Sequence, residues 1–202
     1  MLFLTRPPEQ AIRAITKNHE KENYSYVEVG NSRGKLPAGY KILRGAVELG
    51  KGSDKFKRAC TALRSWKMFE LPNVWLHWPS APIASGVVVA VLIKHFGFWS
   101  LNFCRVVYVI DEDGPKRRFG FAYGTLIEHG EIGEERFMIE WDPATDAVAY
   151  EILSFSRPAD WKTRIANPFV RRLQNQFITD SLAAMVDAVH QTNETPTNNS
   201  KS

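Results

Sequence analysis

At 202 residues, with 44% hydrophobic and 24% charged side chains, the chain is long enough for one substantial domain that buries roughly 70% of the surface its unfolded form exposes. The two cysteines, Cys60 and Cys104, are too few for a disulfide-stapled scaffold and have no histidine at ligand spacing, which predicts buried free thiols in a reducing, cytoplasmic setting and leaves a bridge between them open. The net charge of +4 is uneven, since residues 1–67 hold 14 Lys and Arg against 6 Asp and Glu. Such a front third could meet an anionic membrane or nucleic acid, but no basic cluster alternates with aromatics in a nucleic-acid module, so nucleic acid is disfavoured and a solvated face is the ordinary reading.

The "MLFL" opening is shorter than a secretory apolar region, and the longest apolar run, Gly86 to Ile93, falls far below the ~20 residues of a membrane helix. Ala11, Ile12 and Ile15 after Pro7-Pro8 predict a short amphipathic helix within an N-terminal extension, residues 1–22. "YSYVEVG" reads as a short strand or arm and "KILRGAVELG" as a strand. Gly50 to Gly52 breaks it, Ser53 or Asp54 is positioned to cap a helix, and Phe56, Ala59, Cys60, Leu63 and Trp66 draw its buried face to about Lys67.

"LPNVWLHWPSAP" holds three prolines and two tryptophans, the mark of an irregular packed connector. About five strands follow, "GVVVAVLIKHF", "CRVVYVID", "RFGFAYGTL", "ERFMIEW" and "AVAYEILSFS", with connections short enough to make neighbours antiparallel. Asn167-Pro168 opens a last helix whose stripe, Val170, Leu173, Phe177, Ser181, Ala184, Met185 and Ala188, runs to about His190. Residues 191–202 carry no apolar pattern and read as a disordered tail. A sheet with one apolar face has to be covered, so the prediction is an α+β domain over residues 23–190 in which a curved antiparallel sheet grips the long C-terminal helix.

The segment Phe119 to Trp141 sets the interior. If Leu126 opposes Glu134, then Thr125 faces Glu135, Tyr123 faces Phe137, Phe121 faces Ile139 and Phe119 faces Trp141, while Gly120, Ala122 and Gly124 look outward. Carried through the "DPATD" turn with Trp141 opposite Val148, the parity sets Tyr150 beside Ile139, Ile152 beside Phe137 and Ser154 beside Glu135. The glycines lie inside a strand, not before a helix, so they form no phosphate cradle. A polar row of Thr125, Glu135 and Ser154 then borders an aromatic interior.

An inward carboxylate has to be paired or have its pKa raised. Glu135 is an anchor or general acid/base at a pocket mouth in one reading, and a strand-end residue at a wet edge in the other. Arg105 is its candidate partner, but the turn "DEDGPKR" fits two registers, one facing Arg105 inward near Thr125 and the other facing Cys104 inward. His129 with Glu128 and Glu131 lacks a second histidine or cysteine at metal-ligand spacing, so a solvated turn is preferred and neither a metal nor another cofactor is expected. His77 reads as a packed connector histidine, and Arg157 as an anion contact or a rim ion pair.

The blocks "RVVYVIDE", "RFGFAYGTL", "GEERF", "EILSFSRP" and "RRLQNQFITDSLAAM" resemble an uncharacterised domain-of-unknown-function family of bacteria and plants, from about Tyr24 to Val189. In order of elements the chain also resembles the START-like helix-grip superfamily. That second resemblance implies a hydrophobic ligand enclosed between sheet and helix.

Three functional expectations follow. The first is a binding module for a small apolar or amphipathic, lipid-like ligand, lined by Phe121, Tyr123, Phe137, Ile139, Trp141, Tyr150, Leu173 and Phe177. The second is an enzyme using Glu135 and Tyr123 as acid/base groups in that pocket. The third is docking of the basic first third on an anionic surface.

Overall fold

The computed structural model describes residues 1–127, 129–159 and 167–191, with side chains from 171 in the last segment. The side chains of the proposed cap Asn167 and the stripe residue Val170, together with the turn residue Glu128 and the tail from 192 onward, lie outside what is described. The strands are β1 (Leu2–Phe3), β2 (Lys41–Lys51), β3 (Val74–His77), β4 (Val88–His95), β5 (Phe98–Glu112), β6 (Arg117–Thr125), β7 (Glu131–Trp141) and β8 (Ala147–Pro158), and the helices α1 (Glu9–His19), α2 (Ser53–Arg64) and α3 (Asn167–His190). They build one antiparallel sheet in the order β2-β8-β7-β6-β5-β4-β3, with β1 beside β5. No described helix is long and apolar enough to cross a membrane.

The inner face carries α2 and α3. Gly45 of β2 is what lets α3 lie close: a side chain there would overlap Ile178 and crowd Leu182. Ser181 faces Tyr150, their hydroxyls 3.2 Å apart. The outer face is covered by α1, whose Ile12 packs with Leu92, Leu101, Phe103 and Leu126, and by the arm from Tyr24 to Arg33. Parity separates the two faces, as strand geometry requires.

Helix α2 begins differently from the expectation. Gly52, with φ 92°, holds the cap position and neither Ser53 nor Asp54 caps it through its side chain. The helix also stops at Arg64. Trp66 takes a left-handed conformation with φ 55°, and a 3-10 turn, Lys67–Phe69, follows. That reversal drives Phe69 under the sheet, where its ring lies 5.8 Å from Phe137, 6.1 Å from Tyr123 and 5.4 Å from Phe177. Trp66 packs edge-on against Phe121 at 4.9 Å and donates its indole N–H to the Ala81 carbonyl at 2.9 Å. The proline-rich connector is not wholly irregular, because Val74 to His77 pair with β4.

Between β7 and β8 the register is the expected one, Glu135 with Ser154, Phe137 with Ile152, Ile139 with Tyr150 and Trp141 with Val148. Between β6 and β7 it is shifted by two residues: Tyr123 opposes Glu135, Phe121 opposes Phe137, Phe119 opposes Ile139 and Arg117 opposes Trp141. Leu126 leaves the ladder to bridge Tyr24 of the arm, and the hydroxyl of Thr125 takes the Gly133 N–H at 3.0 Å. The connecting loop is thereby longer on the β6 side. An even shift preserves parity, so the aromatics still face inward.

Candidate functional site

The paired residues at the heart of the inner face are Tyr123 and Glu135. The phenol donates to Glu135 Oε2 at 2.7 Å, and no cation stands within ion-pair distance of that carboxyl among the described residues. Burial pushes the Glu135 pKa up to about 7 against the lowering effect of the phenol's hydrogen bond, and burial raises Tyr123 well above the phenol range. Glu135 nonetheless keeps accessible surface.

Other half-buried residues share this part of the inner face. Ser154 stands opposite Glu135 on β8, and Leu43 stands opposite Ser154 on β2. From α3, Leu173 and Phe177 are likewise half-buried, as are Leu76 and Ile93 across the sheet. At the rim, Gln174 donates to Ser156 Oγ at 3.1 Å and to Glu131 Oε2 at 3.5 Å. Glu131 faces inward with Glu135, burial raises its pKa, and its other oxygen is buried without a hydrogen-bond partner among the described residues.

The remaining sequence-chosen residues divide. Phe121, Phe137, Ile139 and Tyr150 have 0% exposure beneath Trp66, Met68 and Phe69, so they belong to the packed core and present no surface to a ligand. Trp141 lies at the far end of β7, its ring 6.1 Å from Phe56 and its indole N–H on Asp146 at 3.1 Å. Thr125 is paired with Cys104 instead of Glu135, and its hydroxyl is engaged by Ser25 at 2.6 Å as well as by Gly133. Of the three groups in the anticipated polar row, Glu135 and Ser154 are adjacent and Thr125 belongs to the arm contact.

Of the two registers left open, the structure takes the one with Cys104 inward, so Arg105 is not beside Glu135 and is removed from the candidate site. Cys104 holds the inward position and is buried, while Arg105 stands opposite Gly124 on the outer face. There it donates to the carbonyls of Glu22 at 2.7 Å, His19 at 3.0 Å and Glu20 at 3.1 Å. A guanidinium gains more from the orphan carbonyls at the end of α1 than from an apolar interior. A bulge between Val106 and Tyr108 sets this register.

His129 accepts the Glu131 N–H at 3.1 Å through Nδ1, and burial lowers its pKa to about 4. No group of three His, Cys, Asp or Glu side chains able to hold a metal occurs among the described residues. His77 packs edge-on against Trp78 at 4.3 Å, and the Arg157 guanidinium lies over the Tyr40 ring at 4.6 Å.

Two features escaped the sequence reading. Phe69 was hidden because its burial depends on the left-handed Trp66, though the apolar run "WKMFEL" was a signal that packing continued past the helix. Glu134 was assigned to the outside by parity and is on that face, yet it is only 3% exposed. The arm folds over it: Tyr26 OH and the Gly30 N–H donate at 2.7 Å, the Ser32 N–H donates at 3.0 Å, and the Ser32 hydroxyl donates as well.

The strand order, with one long helix laid on the inner face of a curved sheet against β2 and β8, defines an α+β protein of helix-grip architecture. Residues 25–184 match the family model described as Domain of unknown function (DUF1990). The chain belongs to that family. A UPF0548 protein of Dictyostelium discoideum is 36% identical over 94% of this chain and 96% of its own, and one of Deinococcus radiodurans is 37% identical over 87% and 92%. Among solved structures, a hypothetical protein of Helicobacter pylori matches with a TM-score of 0.49 at 12% identity, over 75% of this chain and 89% of that one. Human STARD10 matches with 0.43 at 10% identity, over 91% and 81%. At these TM-scores neither likeness bears on ligand or reaction.

Proposed function

We propose that the protein binds a small amphipathic molecule between the sheet and α3, with the ligand's polar end on Glu135, Tyr123 and Ser154 and its apolar body against Leu43, Leu173 and Phe177. The observation that carries this reading is Glu135 itself. A carboxyl facing inward, with one phenol as donor and no cation beside it among the described residues, is costly to the fold, and Glu135 as a residue is half-buried, not sealed. Apolar walls with a few convergent polar groups are what small-molecule sites require. The fully buried Phe121, Phe137, Ile139 and Tyr150 form the packed core beside the polar pair.

The test is a titration with Nile red, a neutral fluorophore that brightens in apolar surroundings, on wild type and Ser154→Phe. Wild type is expected to give saturable brightening, and the added ring to abolish it without changing the melting temperature. Equal brightening in both, or none in wild type, contradicts the reading.

A second reading, an enzyme with Glu135 as acid/base, is favoured by its pKa near 7, where a carboxyl both gives and takes a proton readily. Should a reaction be found by activity screening, Glu135→Gln is expected to lower kcat by at least about a hundredfold. Full turnover in that variant would remove Glu135 from any catalytic role.

A further inference from the structure

The β4–β5 connection breaks the chemistry of its own turn. His95 pairs with Phe98, leaving Phe96 and Gly97 as a two-residue hairpin loop with φ of 43° and 84°. Positive φ at both positions favours Asn, Asp or Gly, whose small or locally bonding side chains tolerate the left-handed region; a bulky aromatic at the first position is strained. Burial does not compensate, since Phe96 is 80% exposed. A ring held largely exposed at a strained turn is presented to whatever surface meets the hairpin tip.

Its surroundings indicate which. Phe98 is 49% exposed, and Leu2 and Leu4 are each 77% exposed. The pairing of Leu2 with Ser100 and Phe3 with Trp99 brings the N-terminal strand alongside the base of this hairpin. Just behind the apolar tip stand amphipathic rings and cations: Trp75 and Trp99 lie 5.0 Å apart, Arg6 is 5.5 Å from the first ring and 5.8 Å from the second, and Lys94 is 5.6 Å from the second. Between Val87 and Ile110 the sequence holds no Asp or Glu, and neither does the segment from Met1 to Pro8. Exposed Phe and Leu at a protruding tip, Trp one layer back and Arg and Lys beside it is the depth order of hydrocarbon, interface and anionic headgroup.

We propose that the corner formed by Leu2, Leu4, Phe96 and Phe98 inserts into the surface of an anionic lipid bilayer, with Arg6 and Lys94 on the headgroups. This reading is independent of the ligand site, and it assigns anionic docking to this corner in place of the basic residues of 1–67 at large. A narrow tip presents too little area for a stable protein interface, whereas shallow insertion of a few side chains suffices for a lipid surface.

The test is co-sedimentation of the full chain with vesicles of phosphatidylcholine alone and with added phosphatidylserine. Wild type is expected to sediment with the mixed vesicles and more weakly with the neutral ones. Phe96→Asn removes the ring while suiting the turn, so it is expected to fold with an unchanged or higher melting temperature and to partition about tenfold more weakly, the scale of one aromatic side chain lost from an apolar phase. Lys94→Glu is expected to weaken binding to the mixed vesicles alone. Wild type left in the supernatant with both vesicles, full binding by Phe96→Asn, or Phe96-dependent self-association without vesicle binding would each overturn the proposal.

Discussion

Tyr123 and Glu135 stand directly opposite each other on β6 and β7, and the phenol of one donates to the carboxyl of the other at 2.7 Å. This pair fixes the sign of a pH dependence. The folded-state pKa of Glu135 is raised to about 7, so the native state retains a proton that the unfolded chain has already released, and stability falls as pH rises from the ordinary glutamate range through 7. Glu135→Gln cannot ionise. It is expected to be more stable than wild type at pH 8, by about 1–3 kcal/mol, and to match it near pH 4. Chemical denaturation at the two pH values checks this; a difference independent of pH contradicts it.

Glu134, the preceding residue on β7, is expected to destabilise the protein when it is removed. It accepts from Tyr26, from the Gly30 amide and from the amide and hydroxyl of Ser32. Glu134→Ala strands these donors and is expected to cost about 3–5 kcal/mol. Hydrogen exchange at Gly30 and Ser32 should accelerate before the sheet amides do. An unchanged exchange pattern would mean that the arm is held by other contacts.

Arg105→Ala distinguishes the outer face from the inner. Losing three donated bonds at the end of α1 is expected to destabilise by about 1–3 kcal/mol, with faster exchange at the C-terminal turn of α1 and no change in Nile red affinity. A selective loss of probe binding would place Arg105 at the ligand site.

Gly133 has a φ of 153°, and a Cβ there would overlap the carbonyl oxygen of Phe155 on β8. Since the obstacle is backbone, Gly133→Ala is expected to cost at least about 2 kcal/mol. The urea midpoint measures it, and a wild-type midpoint would show that the two strands can separate locally.

Patterning made the architecture legible. Alternation along β6, β7 and β8 gave the inward parity, and the short "DPATD" turn gave the β7–β8 register, because a brief connection between two strongly alternating strands leaves little freedom. The β6–β7 register was not legible, since it depends on Leu126 bridging Tyr24, a residue about a hundred positions away for which local pattern carries no signal. The same holds for Arg105, whose facing was set by a bulge and by helix-end carbonyls supplied from the N-terminal region. Glu135 and Ser154 could be placed from parity alone. Phe69 could not, because the left-handed Trp66 that delivers it is chosen by tertiary packing against intrinsic preference.

A native mass spectrum of the protein as purified, beside that of Ser154→Phe, tests the ligand site most directly. The account predicts a small molecule riding on the wild type, lost on denaturation and missing from the variant. Repeated spectra showing both at their polypeptide masses, with no amphipathic compound able to shift the wild type, would contradict it.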